Sequence, residues 1–143
     1  MTLITRKAWA IYKNSGDIKK GKSYLEESLV VYKSYYGTDN HTKIAYILIP
    51  LASIYRKIEP QKAQDYLEKV LLIYKDFYGE NDIKTAEALA HLGRFHRNMG
   101  HYIKAKDLLE RAVLIHDSSS VKKPIANLGR FLPLPLLLHH ENL

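Results

Sequence analysis

The side chains best suited to metal binding in this chain are those of three histidines, His91, His96 and His101. They are five residues apart, and five residues turn a helix of 3.6 residues per turn by about 140 degrees. Successive rings on one helix would therefore point in different directions, whereas a metal ion needs ligands that converge. The spacing predicts no metal site.

The other candidates for chemistry are no better placed. His139, His140 and Glu141 lack the HExxH spacing that puts two zinc ligands on one helical face. The chain has no cysteine, and so neither a thiolate nucleophile nor a disulfide. No glycine-rich phosphate loop, paired carboxylates or nucleophile with its base is recognisable in the sequence. We therefore expect no enzyme, no cofactor and no small-molecule substrate.

Composition indicates one globular domain. The chain has 143 residues, of which 46% are hydrophobic and 26% charged. Its first residues lack the apolar stretch of a secretory signal, and the longest apolar runs, at 45–52 and 131–138, are too short to cross a bilayer. We expect a cytoplasmic protein without a membrane span, although the absence of cysteine is also compatible with a dedicated export route. The net charge of +7 suits acidic partners or serves solubility alone.

The chain repeats itself at a distance of 42 residues. This similarity is the signature of a stacked array, in which each unit buries its apolar face against its neighbours. Such an array offers an extended surface rather than a deep cavity, which favours a binding module. The aligned sets are Gly21, Ala63 and Ala105; Leu25, Leu67 and Leu109; Glu26, Glu68 and Glu110; Val31, Ile73 and Ile115; and Tyr36-Gly37 with Tyr78-Gly79.

Each unit contains two amphipathic helices. Apolar residues follow helical spacing from Ala63 to Tyr74 and from Ala45 to Tyr55, with a short break at Glu59-Pro60 between the two stretches. Short breaks predict antiparallel neighbours, and nothing in the pattern predicts a strand. Between units, Gly37 and Gly79 are predicted to form left-handed C-terminal caps. The residues predicted to cap the next helices are Asp39, Asn40, Asn81 and Asp82.

These units resemble tetratricopeptide repeats of the 42-residue kind found in kinesin light chains. The third unit resembles them most, with Leu92-Gly93 as the large-small pair of its first helix and Ala105, Leu109 and Ala112 along its second. The resemblance implies an all-α solenoid of antiparallel helix hairpins in a right-handed superhelix. It predicts units at about 1–37, 38–79 and 80–117, followed at 118–143 by a partial fourth repeat and an apolar, proline-containing tail.

Several residues depart from the family pattern. Trp9 stands where the family has a small residue, and Gly21 replaces the usual alanine, so the first unit is predicted to be degenerate or an N-terminal cap. Pro50 lies inside a first helix, where the loss of a backbone hydrogen bond predicts a kink. His96 and His116 replace tyrosines at packing positions and are predicted to lie in the core or at its boundary.

The resemblance also implies a binding surface, because first helices line the concave groove in this family. The first-helix positions that packing leaves free are strongly basic here. Arginine presents a fork of donors that matches carboxylates, so these residues suit an acidic or extended peptide, although they equally fit a solvated face. The predicted groove residues are Lys13, Asn14, Ser53, Arg56, Lys57, Arg94, Arg97, Asn98 and Arg130.

Two other functions stay open at this point. A structural or oligomerisation element, or the remnant of a longer repeat protein, is consistent with so few units, and Leu134 to Leu138 could mediate self-association. An RNA-binding helical repeat would use the positive charge, but base-reading repeats need stacking side chains that this groove lacks. We therefore expect a protein or peptide partner rather than a nucleic acid.

Overall fold

The computed structural model describes the backbone of residues 2–131 and the side chains of residues 7–118. Within residues 2–131 all regular secondary structure is helical, as predicted. Short turns join the helices into three hairpins, α1 with α2, α3 with α4 and α5 with α6, which stack in chain order. The helices are α1 (Thr2–Ser15), α2 (Ile18–Tyr36), α3 (Thr42–Ile58), α4 (Pro60–Tyr78), α5 (Ile83–Asn98) and α6 (Tyr102–Phe131).

Side-chain caps begin three of these helices. An Asp17 carboxylate oxygen accepts a hydrogen bond from the backbone N–H of Lys20 at 3.1 Å, and Asp82 accepts one from Lys84 at 2.9 Å. At α3 the cap is His41, whose Nδ1 accepts from the N–H of Lys43 at 3.0 Å. Each such bond satisfies a backbone donor that has no partner within its helix.

The linker before α3 differs from the prediction. His41 caps this helix, and not Asp39 or Asn40. Asp39 instead forms an ion pair with the Lys69 ammonium at 3.3 Å, and the Asn40 amide donates to the Asp76 carboxylate at 3.4 Å. Both side chains reach sideways to α4, which leaves the capping position to the residue directly before the helix.

The glycines that end α2 and α4 have different conformations. Gly37 has φ 65° and ψ 16°, which confirms the predicted left-handed cap. Gly79 has φ 95° but ψ 168°, so the prediction of a left-handed helical cap is wrong at this position. The different turn directs the Gly79 carbonyl to the Thr85 hydroxyl, which donates a hydrogen bond to it. The linkers before α3 and α5 therefore do not share one geometry.

Small residues lie where helices approach closely. Ala63 and Ala52 are buried, with exposures of 0% and 2%. A Cβ atom added to Gly93 would lie 2.8 Å from Cγ of Leu109 on the neighbouring helix. α5 and α6 can therefore approach this closely only because residue 93 is a glycine and has no side chain.

Two predicted features concern the continuity of the helices. Pro50 lies inside α3, which continues on both sides of it. The kink predicted at Pro50 stays a prediction. The proposed unit boundary after residue 117 lies inside α6, whose backbone continues to Phe131. Residues 132–143, which include Leu134 to Leu138, are outside the described part of the chain.

Candidate functional site

A small groove lies between α3 of the second hairpin and α5 of the third. We call it the α3–α5 groove; its volume is about 130 Å³. Its lining residues on the two helices follow the same helical spacing of i, i+3, i+4 and i+7, which places each set on one face of its helix. The lining residues are Ile49, Ala52, Ser53, Arg56, Leu67, His91, Arg94, Phe95 and Asn98.

The groove has an apolar floor and a polar rim. Ala52, Leu67 and Phe95 are buried, whereas Arg94 on the rim is exposed and Arg56 half-buried. None of the nine lining residues is acidic. The rim therefore offers hydrogen-bond donors and positive charge above a surface that can accept aliphatic groups.

Four of the predicted groove residues come together in this groove, namely Ser53, Arg56, Arg94 and Asn98. The other predicted residues with described side chains are exposed but do not line it. Lys57 and Arg97 are each one residue from a position on the lining faces, and one residue turns the helix by about 100 degrees. Lys13 and Asn14 lie on α1. The side chain of Arg130 is outside the described residues.

His91 orients one of the two groove arginines. An Nη2 hydrogen of Arg94 is donated to Nδ1 of His91 at 3.2 Å, and since a guanidinium only donates, the imidazole proton lies on Nε2. Burial, and then the charge of Arg94, lower the pKa of His91, while Glu87 partly opposes them. His91 is therefore neutral at pH 7 and accepts this hydrogen bond. His91 stands at the position of a frequent groove asparagine of the family, but sequence reasoning left it out of the predicted groove residues, although it precedes Arg94 by three residues on the same face.

The two remaining histidines of the series correct the argument from helical rotation. Nδ1 of His96 lies 3.1 Å from Nδ1 of His101, so the premise of one continuous helix is wrong for this pair. α5 ends at Asn98, and Gly100, with φ 85°, turns the chain so that the two rings meet. Within residues whose side chains are described, no group of three or more histidine, aspartate or glutamate side chains is placed to hold a metal ion.

His96 and His116 have different environments, although both were predicted at packing positions. His96 is 1% exposed, which confirms its prediction. Burial lowers its pKa, as do the charges of Lys104 and His101, against an opposing effect of Glu68. His116 is exposed, so its prediction is wrong. It lies at the end of the array, beside a groove that no described residue covers.

Stacked helix hairpins with a repeated register, and a groove formed between successive hairpins, define a helical repeat protein. The sequence model of the tetratricopeptide repeat family matches residues 43–115, more than half of the chain. The chain belongs to the tetratricopeptide repeat family.

A solved structure supports the same fold. The fold is similar to the crystal structure of BtubC (BKLC) from P. vanneervenii, with a TM-score of 0.73 and 23% sequence identity. The similarity covers 82% of this chain and 46% of BtubC, so this chain spans about half the length of that protein. The search of curated proteins gives no significant match. Among the described helices, none is both long and apolar enough to cross a membrane.

Proposed function

We propose that this protein is an interaction module that binds an acidic, extended segment of a partner protein in the α3–α5 groove. Tetratricopeptide repeats generally mediate protein–protein interaction. The observation that carries the proposal is the convergence of Ser53, Arg56, Arg94 and Asn98 over an apolar floor, with no acidic residue in the lining.

The size of the groove favours a peptide over a small metabolite. A volume of about 130 Å³ is well below the roughly 300 to 1,000 Å³ of typical small-molecule sites. In this proposal a carboxylate side chain of the partner places its oxygens at Arg56 and Arg94 and its methylene groups against Leu67 and Phe95, which line the same groove. Bidentate pairing with arginine is stronger and more directional than pairing with lysine.

The predicted residues outside the groove have a different role in this proposal. Lys13, Lys57 and Arg97 are exposed and surrounded by water, so their pairs with a partner contribute little to affinity. They do add to a net charge of +7, which speeds the encounter with an acidic partner and makes it sensitive to salt. The cysteine-free composition fits a cytoplasmic partner.

Affinity capture from nuclease-treated host lysate tests the proposal. One bait is the wild-type chain, a second carries Arg56→Glu and Arg94→Glu, and the matched control carries Lys57→Glu and Arg97→Glu. The two double variants have the same net charge, but only the first changes the groove. We expect a protein that the wild type and the control retain and the groove variant loses.

Two outcomes would contradict the proposal. Equal loss from both double variants would mean that net charge, and not the groove, attracts the partner. Equal capture by all three folded baits would place recognition elsewhere on the array. Since nuclease removes bridging RNA, retention that disappears on nuclease treatment would favour the RNA-binding alternative.

A further inference from the structure

The packing between hairpins inside the array indicates what the exposed surfaces of its first and last described helices can bind. Phe95 of α5 lies against the second hairpin, where it lines the α3–α5 groove with Ala52 and Leu67. Phe95 lies two residues after Gly93, the small residue of its unit's large-small pair. Ile54 of α3 and Ile11 of α1 occupy the same position, two residues after Ala52 and Trp9. Their exposures are 5% for Phe95, 8% for Ile54 and 65% for Ile11. Ile11 is exposed because no described hairpin precedes α1.

The opposite end of the array exposes the matching surface. A groove of about 340 Å³ lies along α5 and α6, and we call it the C-terminal groove. Inside the array the corresponding surface of the second hairpin is covered by the third. Tyr74 is 1% exposed there, whereas His116, 42 residues later, is exposed. The groove is lined by Ile83, Ala86, Glu87, Ala90, Leu109, Ala112, Val113 and His116.

The two ends are also complementary in chemistry. Ile11 supplies a large aliphatic side chain, and the C-terminal groove is mostly aliphatic, with Val113 57% exposed. Lys7 precedes Ile11 by four residues and shares its face of α1, and it is exposed. Glu87 is exposed and lines the groove, where its carboxylate also pairs with the Lys84 ammonium at 3.4 Å. Opposite charges therefore flank the two apolar surfaces.

We propose that the α1 surface around Ile11 of one copy docks in the C-terminal groove of a second copy and continues the repeat register from chain to chain. The contact joins two different surfaces, so it does not close after two copies and leads to head-to-tail chains. Neither surface includes Arg56 or Arg94, and the assembly is therefore independent of the peptide groove.

Sedimentation velocity over a wide range of protein concentration tests this contact. The wild-type mass should rise with concentration beyond that of a dimer. Ile11→Asp and Val113→Asp should each be monomeric, because each variant has lost one of the two surfaces. An equimolar mixture should form dimers and nothing larger, since one intact surface remains on each variant. Val30→Asp on α2 is the control, because Val30 is 68% exposed and belongs to neither surface.

Each other outcome would overturn the proposal. A wild type that is monomeric at all concentrations would show that the two surfaces do not bind each other. Continued dimerisation of Ile11→Asp alone would indicate a symmetric contact, and loss of assembly in Val30→Asp would indicate unspecific association. Circular dichroism checks the fold, and Ile11→Ser with Val113→Ser repeats the mixing test without introducing charge.

Discussion

The indole ring of Trp9 occupies the space that a side chain at Gly21 would need. A Cβ atom on residue 21 would lie 2.7 Å from Cζ3 of Trp9 and 3.0 Å from Cε3. The first hairpin thus reverses the sizes found in the family, with the large residue on the first helix and the smallest on the second. Trp9 and Gly21, the two departures from the repeat pattern, therefore compensate each other in size.

Gly21→Ala should therefore destabilise the protein although alanine favours helix formation. The gain in helix propensity is about 1 kcal/mol, and overpacking against a ring costs about 1 to 3 kcal/mol. We expect a net loss of about 1 kcal/mol in the free energy of unfolding, measured with urea. Combining Gly21→Ala with Trp9→Ala should cost less than the sum of the two single changes. Additive effects would show that the two residues are not coupled.

The cap of α5 gives a second prediction about stability. Asp82→Ala removes the acceptor for the Lys84 N–H, which is 2.9 Å away, and should lower the free energy of unfolding by about 1 kcal/mol. Asn81→Ala is the matched control, because its neighbour Asp82 already caps the helix. Similar losses in the two variants would contradict the assignment of the cap.

The buried imidazole of His96 predicts that stability decreases in acid. Burial first, and then Lys104 and His101, lower its pKa from the ordinary 6.5, with Glu68 opposing. As pH falls below that ordinary value, the unfolded chain binds a proton that the folded chain does not, which favours unfolding. Denaturant titrations at pH 7 and pH 5 should show a smaller decrease for His96→Phe than for the wild type. Equal decreases would mean that His96 does not contribute.

The hydrogen bond between His91 and Arg94 gives a prediction about affinity in the proposed peptide groove, where one substitution should weaken binding and a more conservative one should largely restore it. His91→Leu removes the acceptor that orients the guanidinium. A half-exposed hydrogen bond to a charged group is worth about 1 kcal/mol, or roughly a fivefold weaker Kd for the captured partner. His91→Asn retains an acceptor and should recover much of the affinity. If both variants bind equally well, His91 does not position Arg94 for binding.

Sequence reasoning predicted the helices and the repeat more completely than the groove. Helical spacing identifies which residues share a face, and it grouped Ser53 with Arg56, which both line the α3–α5 groove. It did not separate Arg56 from Lys57, because the choice between them depends on how closely the next hairpin packs. Leu67 was also missed as a groove residue, since it reaches the floor from the second helix of its hairpin.

The errors have local causes. Asp39 is a good capping residue by type, but a lysine on α4 offers it an ion pair across the linker. The rotation argument for His96 and His101 assumed one helix where Gly100 makes a turn. Capping propensity takes no account of an ion pair across a linker, and the rotation argument holds only as far as one helix continues.

The α3–α5 groove has one wall in each of two repeats, with Arg56 on α3 and Arg94 on α5. A segment that binds both walls gains its free energy only while the two hairpins keep their spacing. By linkage, the same free energy opposes any bending that separates them. Binding of the partner would then restrict the motion of the two hairpins relative to each other. The array would be stiffer with its groove occupied than with its groove empty.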